Sequence, residues 1–196
     1  MSERAQQLSN PAKLQSIQGS EWVRHGYANE YSFETTSTGS RRICITTSTG
    51  YVDLLLALAA TLQEPFFILY VLVLSRKQEN EAARYQSGEV SHQELKAFFE
   101  HFEDYFENDG RHHIWIHSPE SSATLVYDNH DLIYCYGSLE TFSTVLQNNG
   151  LKMVETLQGV GPHGHCYNEE FDNCEGELLK FLKWKKSPLQ PQDDPR

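Results

Sequence analysis

Hydrophobic and polar positions alternate along residues 110–137, and this pattern predicts three β-strands of one antiparallel sheet. Ile114 and Ile116 fall on one face of the first strand, and their neighbours fall on the other. One face therefore packs in the core, while the other displays histidines and aromatic rings. We predict that this second face is a partner-binding surface, made of His113, Trp115, His117, Tyr127, Tyr134 and Tyr136.

The second and third of these strands have the pattern of a β-hairpin. Asparagine tolerates the backbone conformations that tight turns need, which favours a turn at residues 129–130. Such a turn would place Leu125 opposite Tyr134, and Tyr127 opposite Leu132. The two tyrosines would then share a face of the sheet.

Apolar residues recur at helical spacing in four other segments, which are residues 49–63, 91–108, 138–150 and 172–186. Ser91 with Glu94, and Asp172 with Glu175, have the spacing of capping boxes. Further strand patterns cover residues 31–36, 41–46, 66–74 and 151–156. Strands and helices are mixed without strict alternation. We therefore predict an α+β fold, with a mixed, largely antiparallel sheet and about four helices packed mainly on one face.

The ends of the chain are polar, and the C-terminal end is rich in proline. We predict a flexible N-terminal tail at residues 1–20, a single domain at 21–186, and a disordered C-terminal tail at 187–196. Polar residues break the apolar stretch between residues 51 and 75, and neither half reaches the roughly 18 residues that a membrane span needs. A membrane partner is therefore not expected.

The cysteines and the N-terminus indicate a reducing compartment. The four cysteines, Cys44, Cys135, Cys166 and Cys174, show no CxxC spacing. The first 19 residues contain no apolar stretch of the kind found in secretory signals. We therefore expect free thiols and a cytoplasmic location.

The net charge of −11 comes from two acidic segments. Residues 89–109 carry seven acidic side chains and one basic one, and residues 168–177 carry five acidic side chains and no basic one. This field disfavours binding to nucleic acid and favours a basic protein partner. The acidic face of the helix within residues 91–108 adds four residues to the predicted partner-binding set: Glu100, Glu103, Asp104 and Glu107.

Six of the nine histidines lie between residues 112 and 165, which makes metal binding a candidate function. His113 and His117 share a strand face but lie about 13 Å apart, too far for a single ion. The glycine-rich loop at residues 159–167 is better suited, because it brings a thiol and two imidazoles together. We predict zinc ligands at His163, His165 and Cys166, with a further ligand beside the two imidazoles from His113, His117 or Asp172.

No complete catalytic signature is present in the sequence, so three functional hypotheses remain. One is a domain that serves only as a structural part of an assembly, for which an apolar patch is expected near Trp22, Val23, Tyr27 and Tyr31. The leading one is a small acidic protein-binding domain without a cofactor, such as an inhibitor or immunity-type protein that binds a basic macromolecule. The alternative is a metal-assisted zinc hydrolase, or a small-ligand-binding domain, centred on residues 159–167.

Overall fold

The computed structural model describes residues 11–193 of the chain. Its strands are β1 (Leu14–Gln18), β2 (Glu21–Arg24), β3 (Glu30–Thr35), β4 (Arg41–Thr46), β5 (Phe66–Leu72), β6 (Ala83–Val90), β7 (His112–Ser118), β8 (Ala123–Tyr127), β9 (Ile133–Tyr136), β10 (Lys152–Met153), β11 (His163–His165) and β12 (Trp184–Ser187). Nine of them form a sheet in the order β10-β3-β4-β9-β8-β7-β5-β6-β12. The other three form a small sheet in the order β11-β1-β2. All paired strands run antiparallel except β10 and β3.

Helices cover one face of the large sheet. They are α1 (Tyr51–Ala59), α2 (His92–His101), α3 (Glu103–Asn108), α4 (Leu139–Asn148) and α5 (Asp172–Phe181). Each contributes apolar side chains to one core, together with the inward residues of the strands, such as Ile114 and Ile116. The predicted α+β fold, with its largely antiparallel sheet and helices mainly on one face, is confirmed.

A local capping box explains how one of these helices begins, and a tertiary contact explains the start of another. At α2, the side chain of Ser91 accepts a hydrogen bond from the backbone of Glu94, and the Glu94 carboxylate accepts one from the Ser91 backbone. This capping box is the predicted one. At α1, the N-cap residue is Gly50, with φ of 69°. Glycine has no side chain to cap the helix, and the Glu107 carboxylate accepts the hydrogen bond of the Val52 backbone instead, at 2.8 Å.

The hairpin between β8 and β9 has a register that differs by one residue from the predicted one. Tyr127 pairs with Ile133, and Val126 pairs with Tyr134. The cause is a longer loop, in which the Asp128 side chain accepts hydrogen bonds from two backbone amides and Asp131 takes a left-handed conformation with φ of 59°. A shift of one residue moves side chains to the other face. Tyr127 therefore points into the core and not outward.

A buried ionic cluster joins the start of β7 to α5. The Arg111 guanidinium is fully buried and contacts the carboxylates of Asp109, Asp172 and Glu175. The predicted capping box of Asp172 and Glu175 is therefore wrong. Both carboxylates are occupied by tertiary contacts, and Asp172 also pairs with Arg76.

The predicted domain limits need correction at both ends. Strand β1 lies inside the predicted N-terminal tail, and Leu14 is buried in the fold. At the other end, Asp193 is 3% exposed and pairs with Arg84 at 3.1 Å. Strand pairing and a buried ion pair hold these segments, which composition alone does not reveal. Residues 1–10 and 194–196 of the predicted tails lie outside the described residues.

Candidate functional site

The small sheet presents two histidines on the same face. In β11, His163 pairs with Ser16 and His165 pairs with Leu14. Alternation along a strand places residues i and i+2 on one side, so the two imidazoles point the same way. Gly164 lies between them on the opposite side, where a Cβ atom would lie 3.5 Å from the Trp22 ring. The indole therefore packs against the outer side of the strand at Gly164.

A third imidazole reaches these two from the β8–β9 hairpin. It belongs to His130, whose backbone amide donates to Asp128 Oδ1 at 2.9 Å. The ring centroid of His130 lies 5.1 Å from that of His163 and 4.7 Å from that of His165. The centroids of His163 and His165 are 5.4 Å apart. Three half-buried imidazoles therefore surround one point, where the small sheet meets the hairpin.

The geometry of this three-histidine cluster (His130, His163 and His165) suits a metal ion. Each residue offers one ring nitrogen, and the three nitrogens all lie within 4.8 Å of one another. In a tetrahedral zinc site with bonds of about 2.0 Å, two nitrogen ligands lie about 3.3 Å apart. Small side-chain rotations would close this difference.

A hydrogen bond and a longer carboxylate contact lie next to two of the rings of the cluster. His163 Nδ1 lies 2.8 Å from the Gly161 carbonyl oxygen, so Nδ1 donates and Nε2 remains free for a ligand. His130 Nδ1 lies 3.6 Å from Asp128 Oδ2. Carboxylate and carbonyl partners of this kind commonly fix the orientation of metal-binding histidines. His165 Nδ1 is buried and has no hydrogen-bond partner among the described residues.

The electrostatic environment keeps His165 neutral. Burial lowers its pKa to about 4, and the neighbouring His130 and His163 add to this shift. Only a neutral imidazole can bind a metal ion, so His165 is ready to bind one at neutral pH.

Near the three-histidine cluster, one ring nitrogen of His25 and the side-chain amide of Asn129 have no hydrogen-bond partner within the described part of the chain. His25, which follows β2, donates its backbone amide to Leu14 and places Nδ1 3.0 Å from Ser16 Oγ, but its Nε2 is buried without a partner. Asn129 precedes His130 and is fully buried, with neither side-chain atom paired. Buried polar groups in this state usually contact water or a ligand.

The predicted metal ligands are only partly brought together. His163 and His165 meet, but their third partner is His130, not His113, His117 or Asp172. Asp172 is already bound by two arginines.

Cys166 is absent from the cluster, because it follows His165 directly and strand alternation turns it away. Sequence spacing did not indicate His130, which lies 33 residues before His163. Its position in a tight turn was the only available signal.

Five of the six residues predicted for the surface of the sheet share its outer face, opposite the helices. They are His113, Trp115, His117, Tyr134 and Tyr136. The expected exposure of Tyr127 is wrong. Its ring lies on the core face, its hydroxyl donates to Asp131 at 2.7 Å, and Lys13 Nζ lies 3.5 Å from the ring centroid.

The four predicted acidic residues lie on the other side of the sheet, because α2 and α3 pack on the helix-covered face. Glu100 and Asp104 are exposed, and Glu103 is half-exposed. Glu107 is occupied at the start of α1, and burial raises the pKa of its carboxyl group. The acidic helices and the aromatic face therefore cannot form one continuous surface. Binding of a basic protein by an inhibitor or immunity-type domain stays a prediction.

Comparison of the chain with protein-family models, curated proteins and solved structures gives no match. Within residues 11–193, none of the helices has the length and apolar character needed to cross a membrane.

Proposed function

We propose that this protein binds a divalent transition-metal ion of the zinc type through the three-histidine cluster. The observation that carries this proposal is the mutual distance of three ring nitrogens, none more than 4.8 Å from another. The ligands come from two separate parts of the chain, the β8–β9 hairpin and β11. Such a convergence is not expected from surface histidines that only contact solvent.

The chemistry of the ligands favours zinc. Neutral imidazole suits zinc and the other late first-row metals, whereas calcium and magnesium prefer oxygen ligands. Structural zinc sites normally have four protein ligands, while catalytic sites have three and keep one position open. All three histidines are half-buried, so the site remains accessible to solvent.

We further propose that the centre is of the catalytic kind and serves a metal-assisted hydrolase. Zinc with an open position lowers the pKa of a bound water to about 7 and so supplies hydroxide at neutral pH. Neighbouring groups of the chain contact two of the three histidine ligands. The Gly161 carbonyl orients His163, and the Asp128 carboxylate lies 3.6 Å from His130 Nδ1.

Metal analysis tests the proposal directly. Purified protein is loaded with zinc and dialysed, and its metal content is measured by mass spectrometry. We expect about one zinc per chain for the wild type and none for the double variant His163→Ala/His165→Ala. His117→Ala is the matched control, because His117 is exposed at the far end of β7. Loss of zinc in the control, or less than about 0.2 zinc per wild-type chain, would contradict the proposal.

Thermal unfolding gives a second measure. A ligand at about one hundred times its Kd stabilises the folded state by about 2.7 kcal/mol. For a domain of this size, that corresponds to an increase in Tm of about 5 to 10 °C. The increase should disappear with a chelator and in the double variant. Equal increases in the wild type and the double variant would place the zinc elsewhere.

The catalytic part of the proposal has its own test. Hydrolysis of p-nitrophenyl acetate by the zinc-loaded protein should exceed that by the chelated protein and increase with pH through about 7. Stoichiometric zinc without zinc-dependent hydrolysis of this ester would contradict the proposed water activation and leave metal binding as the function.

A further inference from the structure

A small cavity opens on the outer face of the large sheet, opposite the helices. Its volume is about 230 Å³. The residues that line it are Arg42, His113, Trp115, Val126, Asp128, Tyr134, Tyr136, Gln192 and Asp193. Four of the residues predicted for the aromatic face are among them, and the C-terminal turn forms one wall.

The register of the sheet sets the width of this cavity. Trp115 pairs with Val126, and Val126 pairs with Tyr134. The two aromatic residues therefore stand in one row, two strand spacings or about 9.6 Å apart. Ring pairs pack with centroids about 4.5 to 7 Å apart. This backbone spacing is wide enough for one flat ring to lie between the side chains of Trp115 and Tyr134, above the smaller Val126.

Contacts from neighbouring side chains hold the aromatic walls in place. The Arg42 guanidinium lies 4.1 Å from the Tyr134 ring centroid and donates to the Tyr136 hydroxyl at 2.9 Å. The same guanidinium is paired with Glu34 at 2.9 Å. Walls that are fixed before binding reduce the entropy lost when a ligand binds.

The charges around the cavity leave one carboxylate in excess. Arg42 is balanced by Glu34, and Arg84 is balanced by Asp193 at 3.1 Å. Asp128, by contrast, has no lysine or arginine within salt-bridge distance of its carboxylate in the part of the chain that the structure describes. Its only ion-pair contact there is the ring of His130, at 3.6 Å. Asp128 Oδ1 already accepts hydrogen bonds from two backbone amides, so the cavity favours a ligand that presents a hydrogen-bond donor to Asp128 Oδ2.

A second polar group faces the same cavity. His113 lines it, and its Nε2 is buried with no hydrogen-bond partner in the described residues. Because burial lowers the pKa of His113, its imidazole is neutral at pH 7 and offers both a donor and an acceptor. An unpaired nitrogen in a cavity is satisfied when a ligand supplies the complementary atom.

We infer that this cavity binds a single-ring, amino-substituted aromatic heterocycle. The ring stacks between Trp115 and Tyr134, its exocyclic amino group donates to Asp128, and a ring nitrogen pairs with His113. The inference does not depend on metal binding. The two sites are nevertheless neighbours, because Asp128 lines the cavity and also contacts His130 of the three-histidine cluster.

Cytosine and uracil provide a matched pair of probes. They have the same ring size, but uracil carries a carbonyl where cytosine carries the amino group. Binding is measured by NMR titration of the full chain, with and without zinc, following the indole N–H signal of Trp115. We expect cytosine to bind at least about tenfold more tightly than uracil, since a site built for a hydrogen bond rejects a ligand that lacks it.

Two variants locate the binding. Asp128→Asn should abolish the preference for cytosine, because asparagine replaces one acceptor oxygen with an NH2 group, which donates and cannot accept a hydrogen bond from the amino group of the ligand. Val126→Phe should fill the space between the rings and abolish binding of both probes. His117→Ala, outside the cavity, should bind cytosine like the wild type.

Three results would overturn the inference: no binding of cytosine, equal affinity for uracil, or unchanged binding in Val126→Phe. The comparison of the two probes on the wild-type chain needs no variant and so does not depend on the folding of one. Zinc content of Val126→Phe separates this inference from the proposed function. If the variant keeps its zinc but loses cytosine, the two sites are independent.

Discussion

The replacement Arg111→Met tests how strongly the buried ionic cluster stabilises the fold. The Arg111 side chain makes five hydrogen bonds, four to the carboxylates of Asp109, Asp172 and Glu175 and one to the Asn168 carbonyl. Methionine has a similar shape but no donor. The variant therefore leaves carboxylates buried without their cation.

The expected loss of stability follows from the burial of both the Arg111 guanidinium and the carboxylates that it contacts. The side chains of Arg111 and Asp109 are fully buried, and those of Asp172 and Glu175 are 2% exposed. Removing one partner from such a buried pair costs about 3 to 5 kcal/mol. Some donors remain, because Arg76 still contacts Asp172 and backbone amides still contact Asp109. We therefore expect a loss of about 3 kcal/mol.

Urea unfolding measures this loss. With a slope of about 2 kcal/mol per molar, the midpoint should decrease by about 1.5 M. The matched control is Arg41→Met, because the Arg41 side chain is exposed on an outer part of β4 and should lose less than about 0.5 kcal/mol. A loss below about 1 kcal/mol for Arg111→Met would refute the argument from buried charge.

The same variant should also weaken zinc binding. Arg111 and Asp109 both hold Asn168, which lies three residues after His165. Loosening this anchor should reduce the zinc affinity by about tenfold, in the range found when indirect supports of metal ligands are removed. Unchanged zinc affinity in a destabilised variant would show that β11 is held by its pairing with β1 alone.

Three further predictions concern other residues. His112→Leu should flatten the pH dependence of the unfolding free energy between pH 7.5 and 5. Burial lowers the pKa of His112 well below 6.5, so in this range the unfolded chain binds a proton that the folded protein does not bind. The stability of the wild type therefore falls as pH decreases. If urea titrations show that the unfolding free energy changes equally with pH in the variant and the wild type, this prediction is wrong. Glu107→Ala should cost about 1 kcal/mol in urea unfolding, because the Val52 amide loses its acceptor at the start of α1, whereas exposed Asp104→Asn should cost little. Cys166→Ser should keep the wild-type zinc affinity in calorimetry, and a loss above about tenfold would restore this thiol as a ligand.

The prediction for His112 rests on its surroundings. The ring packs 4.6 Å from Tyr105 and 5.3 Å from Phe106, measured between centroids. The backbone of Phe106 lies close to the imidazole, but neither ring nitrogen forms a hydrogen bond of normal geometry within the described chain. Leucine removes these unpaired nitrogens, so the variant should be at least as stable as the wild type at pH 7.5.

Much of the fold could be predicted because local pattern and tertiary contacts agree. The alternation around Ile114 and Ile116 gave the correct face of β7, and the Ser91–Glu94 spacing gave the start of α2. The hairpin register could not be predicted to the residue. It depends on the conformation of Asp131 and on the hydrogen bonds of Asp128, and several loop lengths are compatible with the same turn residues.

The sequence predicted a loop at residues 159–167, where the structure has β11, so it did not determine the shared face of His163 and His165. By itself it determined the fold class and the outward direction of His113, Trp115 and His117. These features follow from the period of two along a strand, which needs no knowledge of neighbours. Only the tertiary structure decided that His130 completes the three-histidine cluster, that Asp172 forms an ion pair with Arg111, and that Tyr127 is buried. Each of these depends on which distant segments meet, and that is set by strand order, register and the pairing of buried charges, which no local pattern encodes.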